Sequence, residues 1–135
     1  MKDLDENGIS QIVLDAAIEV HRELGGPGLL ESIYEEALVF ELTERGLSVE
    51  RQKAVPVMYK GRRLASDLRL DLLVSDKVVI ECKATSAHTA VFEAQALTYL
   101  RLLGLKLAMV INFGEKRVSK GVRRVVNGLD EWDEF

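Results

Sequence analysis

Leu68–Ala84, LRLDLLVSDKVVIECKA, reads as two apolar strands joined by a tight polar turn at Ser75-Asp76-Lys77. Side chains alternate between the two faces of a strand. Val78, Ile80 and Cys82 therefore share one face of the second strand, and Val79, Glu81 and Lys83 share the other. On the first strand the same rule groups Leu68, Leu70, Leu72 and Val74, leaving Arg69, Asp71 and Leu73 opposite. With the apolar sets turned to one core, Asp71, Glu81 and Lys83 emerge together on the far side. An unpaired charge inside so apolar a run is costly. Two carboxylates beside an ammonium suit a hard divalent cation and an attacking water. The alternative is a solvated cross-strand ion pair with no chemistry attached.

The flanking sequence fits a sheet around this pair. Residues 48–60 read as a strand, with Pro56 favouring an edge or a bulge. Lys60-Gly61-Arg62 is a hairpin turn signal, and residues 63–74 and 78–82 complete an antiparallel meander of three strands. A polar loop at 85–89 leads to a helix over 90–103, ended by Gly104, with Gln95 and Tyr99 four apart on one face. Leu105–Phe113 is an apolar strand expected to be buried on both faces and to lie parallel to 78–82 through a right-handed crossover. Residues 117–126 read as a last edge strand. Ahead of the meander, apolar spacings of three and four predict helices over 9–24 and 29–45, closed by Gly25-Gly26-Pro27-Gly28 and by Gly46. His21, near the end of the first helix, reads as a partly buried residue favoured by the helix dipole, with an active-site role as the minority alternative. The fold class is α/β, a mixed central sheet flanked by helices, with residues 1–135 as a single domain. Its acidic end, about 128–135, is expected to be loosely held, with Trp132 able to dock on the surface.

Composition narrows the function classes. The 135 residues are 47% hydrophobic and 30% charged, in the range of globular domains. No apolar run reaches the roughly 18 residues of a membrane span. The polar, acidic first ten residues argue against a signal peptide, and the lone Cys82, its thiol expected to face the core, fits a reducing compartment. A cytoplasmic location is the resulting expectation. Glycine-rich phosphate loops, zinc-ligand spacings and internal repeats are absent from the sequence. The net charge of −4 is unevenly spread: residues 1–44 carry 11 acidic and 2 basic side chains, whereas residues 45–69 carry 7 basic and 2 acidic ones. Any contact with nucleic acid is expected along Arg51, Lys53, Arg62 and Arg63 and along Lys116, Arg117, Lys120, Arg123 and Arg124.

Asp71, nine intervening residues, then Glu81-Cys82-Lys83 resembles the signature of the PD-(D/E)XK nuclease superfamily, with Leu70 where that signature has proline. A second likeness runs along nearly the whole chain. Gly28-Leu29-Leu30-Glu31-Ser32-Ile33-Tyr34 resembles the G-x-x-E-x-x-Y motif that names the GxxExxY family, placed within the same superfamily. The text ERGLSVERQKAVPVMYKG, the DLLV and ECKA strands and a late INFG strengthen the likeness, and the extra residue in Gly25-Gly26-Pro27-Gly28 departs from it. The resemblance implies a restriction-endonuclease-like core and a metal-dependent phosphodiester hydrolase acting on nucleic acid, DNA in the first instance, leaving a 5′-phosphate. It implies that Asp71, Glu81 and Glu31, with Glu35 as the substitute for Glu31, hold Mg²⁺ or Mn²⁺, the Cys82 carbonyl adding a ligand. Lys83 would orient or deprotonate the attacking water, and Gln95 and Tyr99 would position water or phosphate. The alternative is a catalytically weak binding or regulatory module on the same fold, acting through a protein partner or as a homodimer.

Overall fold

The computed structural model describes residues 3–129. Helix α1 spans Glu6–Glu23, beginning ahead of its first apolar stripe because the Asp5 side chain accepts a hydrogen bond from the Gly8 N–H at 2.8 Å. Helix α2 spans Glu31–Glu44. Strand β1 (Val49–Val55), the short strands β2 (Met58–Tyr59) and β3 (Arg62–Arg63), and strands β4 (Leu68–Val74) and β5 (Val78–Lys83) follow. Helix α3 (Ala90–Leu103) leads to β6 (Leu107–Asn112), and a 3₁₀ turn at Val118–Lys120 leads to β7 (Val122–Val126).

The main sheet has the order β1-β4-β5-β6-β7, in which β5 and β6 are parallel and the other pairs antiparallel. The turn joining β4 to β5 places Ser75 and Asp76 at φ of 51° and 57°, the left-handed geometry of a tight two-residue hairpin. Helix α3 makes the crossover from β5 to β6, and every residue of β6 is buried. Helices α1 and α2 cover one face of the sheet, over Leu72, Val74, Val78, Ile80 and Cys82; α3 covers the other, over Leu70, Leu73 and Val79.

Three details differ from the sequence reading. The strand expected over 48–60 breaks after Val55, and the one expected over 63–74 restarts at Leu68, so β2 and β3 form a separate two-stranded hairpin. The strand expected from 117 begins only at Val122, after the 3₁₀ turn. Most consequentially, Leu70 does not share a face with Leu72 and Val74: it packs under α3 with Leu73, while they pack under α1 and α2. Alternation is broken at Asp71. Opposite it on β1, Gln52 adopts φ of 54°, and neither residue takes part in the β1–β4 ladder that continues on both sides. A positive φ is unfavourable for glutamine, so local backbone energy is spent to reverse the strand here. The acidic end with Trp132 lies outside the described residues.

Candidate active site

The break at Asp71 builds the site. The β4–β5 ladder ends at Leu72 opposite Ile80, one pair short of Asp71 and Glu81. Beyond that point the strands fork, and side chains replace the missing backbone bonds. The Asp71 N–H donates to Glu81 Oε2 at 2.7 Å, and the Cys82 N–H donates to Asp71 Oδ2 at 2.7 Å. Each carboxylate thus satisfies a backbone donor that the fork would orphan.

Two acidic residues of α2 face the fork. Glu35 is buried, and its Oε1 accepts from Gln52 Nε2 at 2.7 Å and lies 3.6 Å from the Arg51 guanidinium. Gln52 Nε2 also reaches Asp71 Oδ1 at 3.3 Å, bridging helix and strand. Glu31, in the first turn of α2, forms no hydrogen bond or ion pair among the described residues, yet it lies within the electrostatic reach of Lys83, Asp71 and Glu35. Lys83 is not ion-paired with any of these carboxylates. Its ammonium sits 4.8 Å from the centre of the Phe92 ring on α3, a cation–π contact that holds the charge beside the acids without neutralising one of them. A closed Asp–Lys or Glu–Lys pair is therefore not what β4 and β5 make.

The protonation equilibria record the crowding. Burial, followed by the charge of Asp71, lifts the Glu81 carboxyl from its ordinary 4.5 to about 8, and Lys83 offsets only part of this. Desolvation raises Glu31, with Lys83 opposing and Asp71 and Glu35 adding to the rise. Glu35 is also raised, by burial first, against the hydrogen bond from Gln52. Burial pushes the Cys82 thiol well up, so it is an inert core thiol.

Tyr99 and Gln95 are less closely engaged. The Tyr99 hydroxyl donates to the Arg69 carbonyl at 3.0 Å, and burial followed by the charges of Glu81 and Asp71 raises its pKa. Gln95 is exposed one turn earlier, bonded to none of the carboxylates; with Leu68, Thr98 and Tyr99 it lines a shallow pocket of about 220 Å³. Among the described residues, no three His, Cys, Asp or Glu side chains stand close enough together, as placed, to hold a metal ion.

Other notable residues are structural. Tyr34 is fully buried, and its hydroxyl donates to the Gly26 carbonyl at 2.7 Å and accepts from the Leu29 N–H at 3.1 Å, clamping the loop into α2. Its ring stacks on Phe113 with centroids 4.8 Å apart. Gly28 in that loop has φ of 121°. His21 is buried with Nε2 3.1 Å from the Phe113 carbonyl; because a carbonyl only accepts, Nε2 carries the proton. Asn112 bonds the Thr85 N–H, the Thr85 carbonyl and the Gly114 N–H. Residue 114 must be glycine, since a Cβ there would lie 2.1 Å from the Thr85 carbonyl oxygen.

The basic residues divide. Arg51 is committed to Glu35, Lys53 to Glu50 at 2.9 Å and Arg63 to Asp67 at 3.2 Å, while Arg124 bonds Asn7 of α1. Arg62, Lys116 and Arg117 are exposed. The strand directions put the β2–β3 hairpin and the 113–117 loop at the same end of the sheet as Lys83. Gln52 and Phe92 were not picked out from sequence; a polar residue in a strand and an aromatic in a helix carry no distinguishing mark.

A mixed five-stranded sheet between helices, forked over an acid–acid–lysine cluster, is the restriction-endonuclease-like α/β architecture. The model of the PD-(D/E)XK nuclease superfamily matches residues 7–125, and the chain belongs to that superfamily. No curated protein and no solved structure matches it. No helix among the described residues is long and apolar enough to cross a membrane.

Proposed function

We propose that the protein is a divalent-cation-dependent phosphodiesterase acting on nucleic acid, with DNA as substrate, and that it falls in the GxxExxY group of its superfamily. The observation that supports this most is the fork. Glu81 is buried beside Asp71 at the cost of a carboxyl pKa of about 8, and the lysine next to them is held off by Phe92 rather than paired. A purely structural ion pair needs neither arrangement.

The donor chemistry fits Mg²⁺ or Mn²⁺: carboxylate oxygens only, clustered so that their mutual repulsion favours a cation. Asp71 and Glu81 would hold it, with the Cys82 carbonyl in reserve and a third carboxylate closing from α2. Glu31 is the better placed to move, since Glu35 is tied to Gln52 and Arg51. When bound, the cation supplies Lewis-acid polarisation of the phosphate and a more acidic water. Lys83 donates to the attacking water or to the charge that develops on phosphorus-bound oxygen. Tyr99, anchored to the Arg69 carbonyl, walls the site from the α3 side, and Gln95 lies at its rim. Arg62, Lys116 and Arg117 offer phosphate contacts at the same end of the sheet.

The competing reading is a binding module of nuclease ancestry. What favours it is that no three candidate ligands are assembled as placed among the described residues. A nuclease assay with Mn²⁺ over single-stranded, duplex and branched DNA and over RNA separates the two. Asp71→Asn is the control, because it keeps an oxygen to accept from the Cys82 N–H. Cleavage by the wild type, lost in the control, is the expected result. Capture of a protein partner that survives Asp71→Asn, without cleavage of any substrate, would favour the module.

A further inference from the structure

We propose that the β2–β3 hairpin is a grip for unpaired nucleic acid, with Tyr59 as a stacking platform and Lys60 and Arg62 as phosphate contacts. This rests on the nuclease reading and adds to it the class of substrate. The hairpin belongs to neither hydrophobic core, yet it holds two large apolar side chains in solvent: Met58 is 56% exposed and Tyr59 59%. Its turn is stiff, with Lys60 and Gly61 at φ of 50° and 77°, the two-residue geometry that matches strand twist. Tyr59 pairs across the hairpin with Arg62, so both side chains rise from one face.

The charges beside Tyr59 have no acidic partner among the described residues. Arg62 makes no ion pair or hydrogen bond among the described residues, whereas Arg63 on the opposite face is held by Asp67. The Lys60 ammonium rests 5.5 Å from the Tyr59 ring centre and has no carboxylate partner among the described residues. An exposed ring with one cation over it and a second paired across the hairpin complements a strand whose bases are bare and whose phosphates are near: the base stacks in place of the Lys60 ammonium, and the cations neutralise phosphate. In a duplex the base faces are buried against one another, and the ring has nothing to stack on. An apolar protein surface would cover Met58 and Tyr59 but leave Lys60 and Arg62 unmatched. The hairpin leads through residues 64–67 into β4 and hence to Asp71, and it stands at the same end of the sheet as Lys83.

The test is fluorescence anisotropy with a labelled oligothymidylate and a duplex of equal length, in EDTA so that cleavage does not intervene. The single strand is expected to bind more tightly than the duplex. Tyr59→Ala should weaken single-strand binding about tenfold, within the range of one lost base stack. Tyr59→Trp should restore it, and duplex binding should not respond to either change. Since Tyr59 is solvent-exposed, thermal melting of both variants should match the wild type. Unchanged single-strand affinity in Tyr59→Ala, or a preference for duplex, would overturn the proposal while leaving Asp71-dependent cleavage standing. Failure to bind either oligonucleotide, together with absence of cleavage, would remove the nuclease reading and this one together.

Discussion

Two polar clusters lie at the same end of the sheet, on adjacent strands, and they differ in how their groups are satisfied. Around Asn112, at the end of β6, an amide meets the backbone of Thr85 and Gly114 with neutral hydrogen bonds on both its oxygen and its nitrogen. At the fork between β4 and β5, two carboxylates cap each other's strand while two more press in from α2, and the nearby ammonium is turned onto an aromatic ring. The first cluster fastens the 85 loop to the sheet and leaves no charge behind. The second crowds carboxyl groups whose burial, and then whose mutual repulsion, makes them costly to ionise. Comparable polarity in the sequence thus conceals different arrangements: one cluster is neutral and specifies position, and the other crowds acids that, under the proposed function, a cation would relieve.

The contrast is sharpest in substitutions at the two strand ends. Lys83→Met keeps the side-chain stem over Phe92 and removes only the ammonium. It should reduce cleavage by on the order of 10²–10⁴-fold, with the melting temperature little changed and cation binding retained. Undiminished cleavage would make Lys83 a structural residue and erase the distinction between the clusters. Asn112→Ala should do the reverse. It leaves the half-buried Thr85 and Gly114 N–H groups without their acceptor and should cost about 2 kcal/mol of stability in denaturant titration. The cleavage lost with it should return in proportion to the folded fraction.

A smaller effect reads the cost of ionising Glu81 in the fork. In EDTA, Glu81 holds a proton in the folded chain up to about 8, whereas the unfolded chain releases it near 4.5. Between these values unfolding releases a proton, so stability falls as pH rises through the window and levels off above it. Glu81→Gln, which keeps an oxygen to accept from the Asp71 N–H, should flatten that slope and raise the metal-free melting temperature at pH 8 by several degrees. An unchanged slope would mean that the fork carries no electrostatic strain. The least effect belongs to Tyr34→Phe, which keeps the stack on Phe113 and loses the hydroxyl bonds to Gly26 and Leu29. About 1 kcal/mol of destabilisation by thermal melting is expected, with cation affinity unmoved.

Much of the architecture was legible because it follows from period and length. The turn at residues 75–77, the parallel β5–β6 pair joined through α3, the burial of β6 and the edge placement of β7 follow from apolar runs and short connections. The PD-(D/E)XK core was legible from the spacing of Asp71, Glu81 and Lys83 together with the surrounding text, and the superfamily match agrees. What alternation could not give is the reversal at Asp71, because it depends on Gln52 taking a positive φ, and glutamine carries no signal for that conformation. The same break hid Gln52 as the bridge between Glu35 and Asp71. Phe92 carried no mark in the sequence, since its contact with Lys83 spans two elements. Gly28 and Tyr34 stood out as a motif, but only the loop clamp explains them as parts of the scaffold.

Calorimetric titration with Mn²⁺ tests the fork as a cation site most directly. The wild type should bind with a stoichiometric, saturable isotherm, and Asp71→Asn and Glu81→Gln, both still folded, should each lose most of that affinity. Wild-type-like isotherms in both variants would contradict the assignment and leave the fork as a strained but purely structural junction.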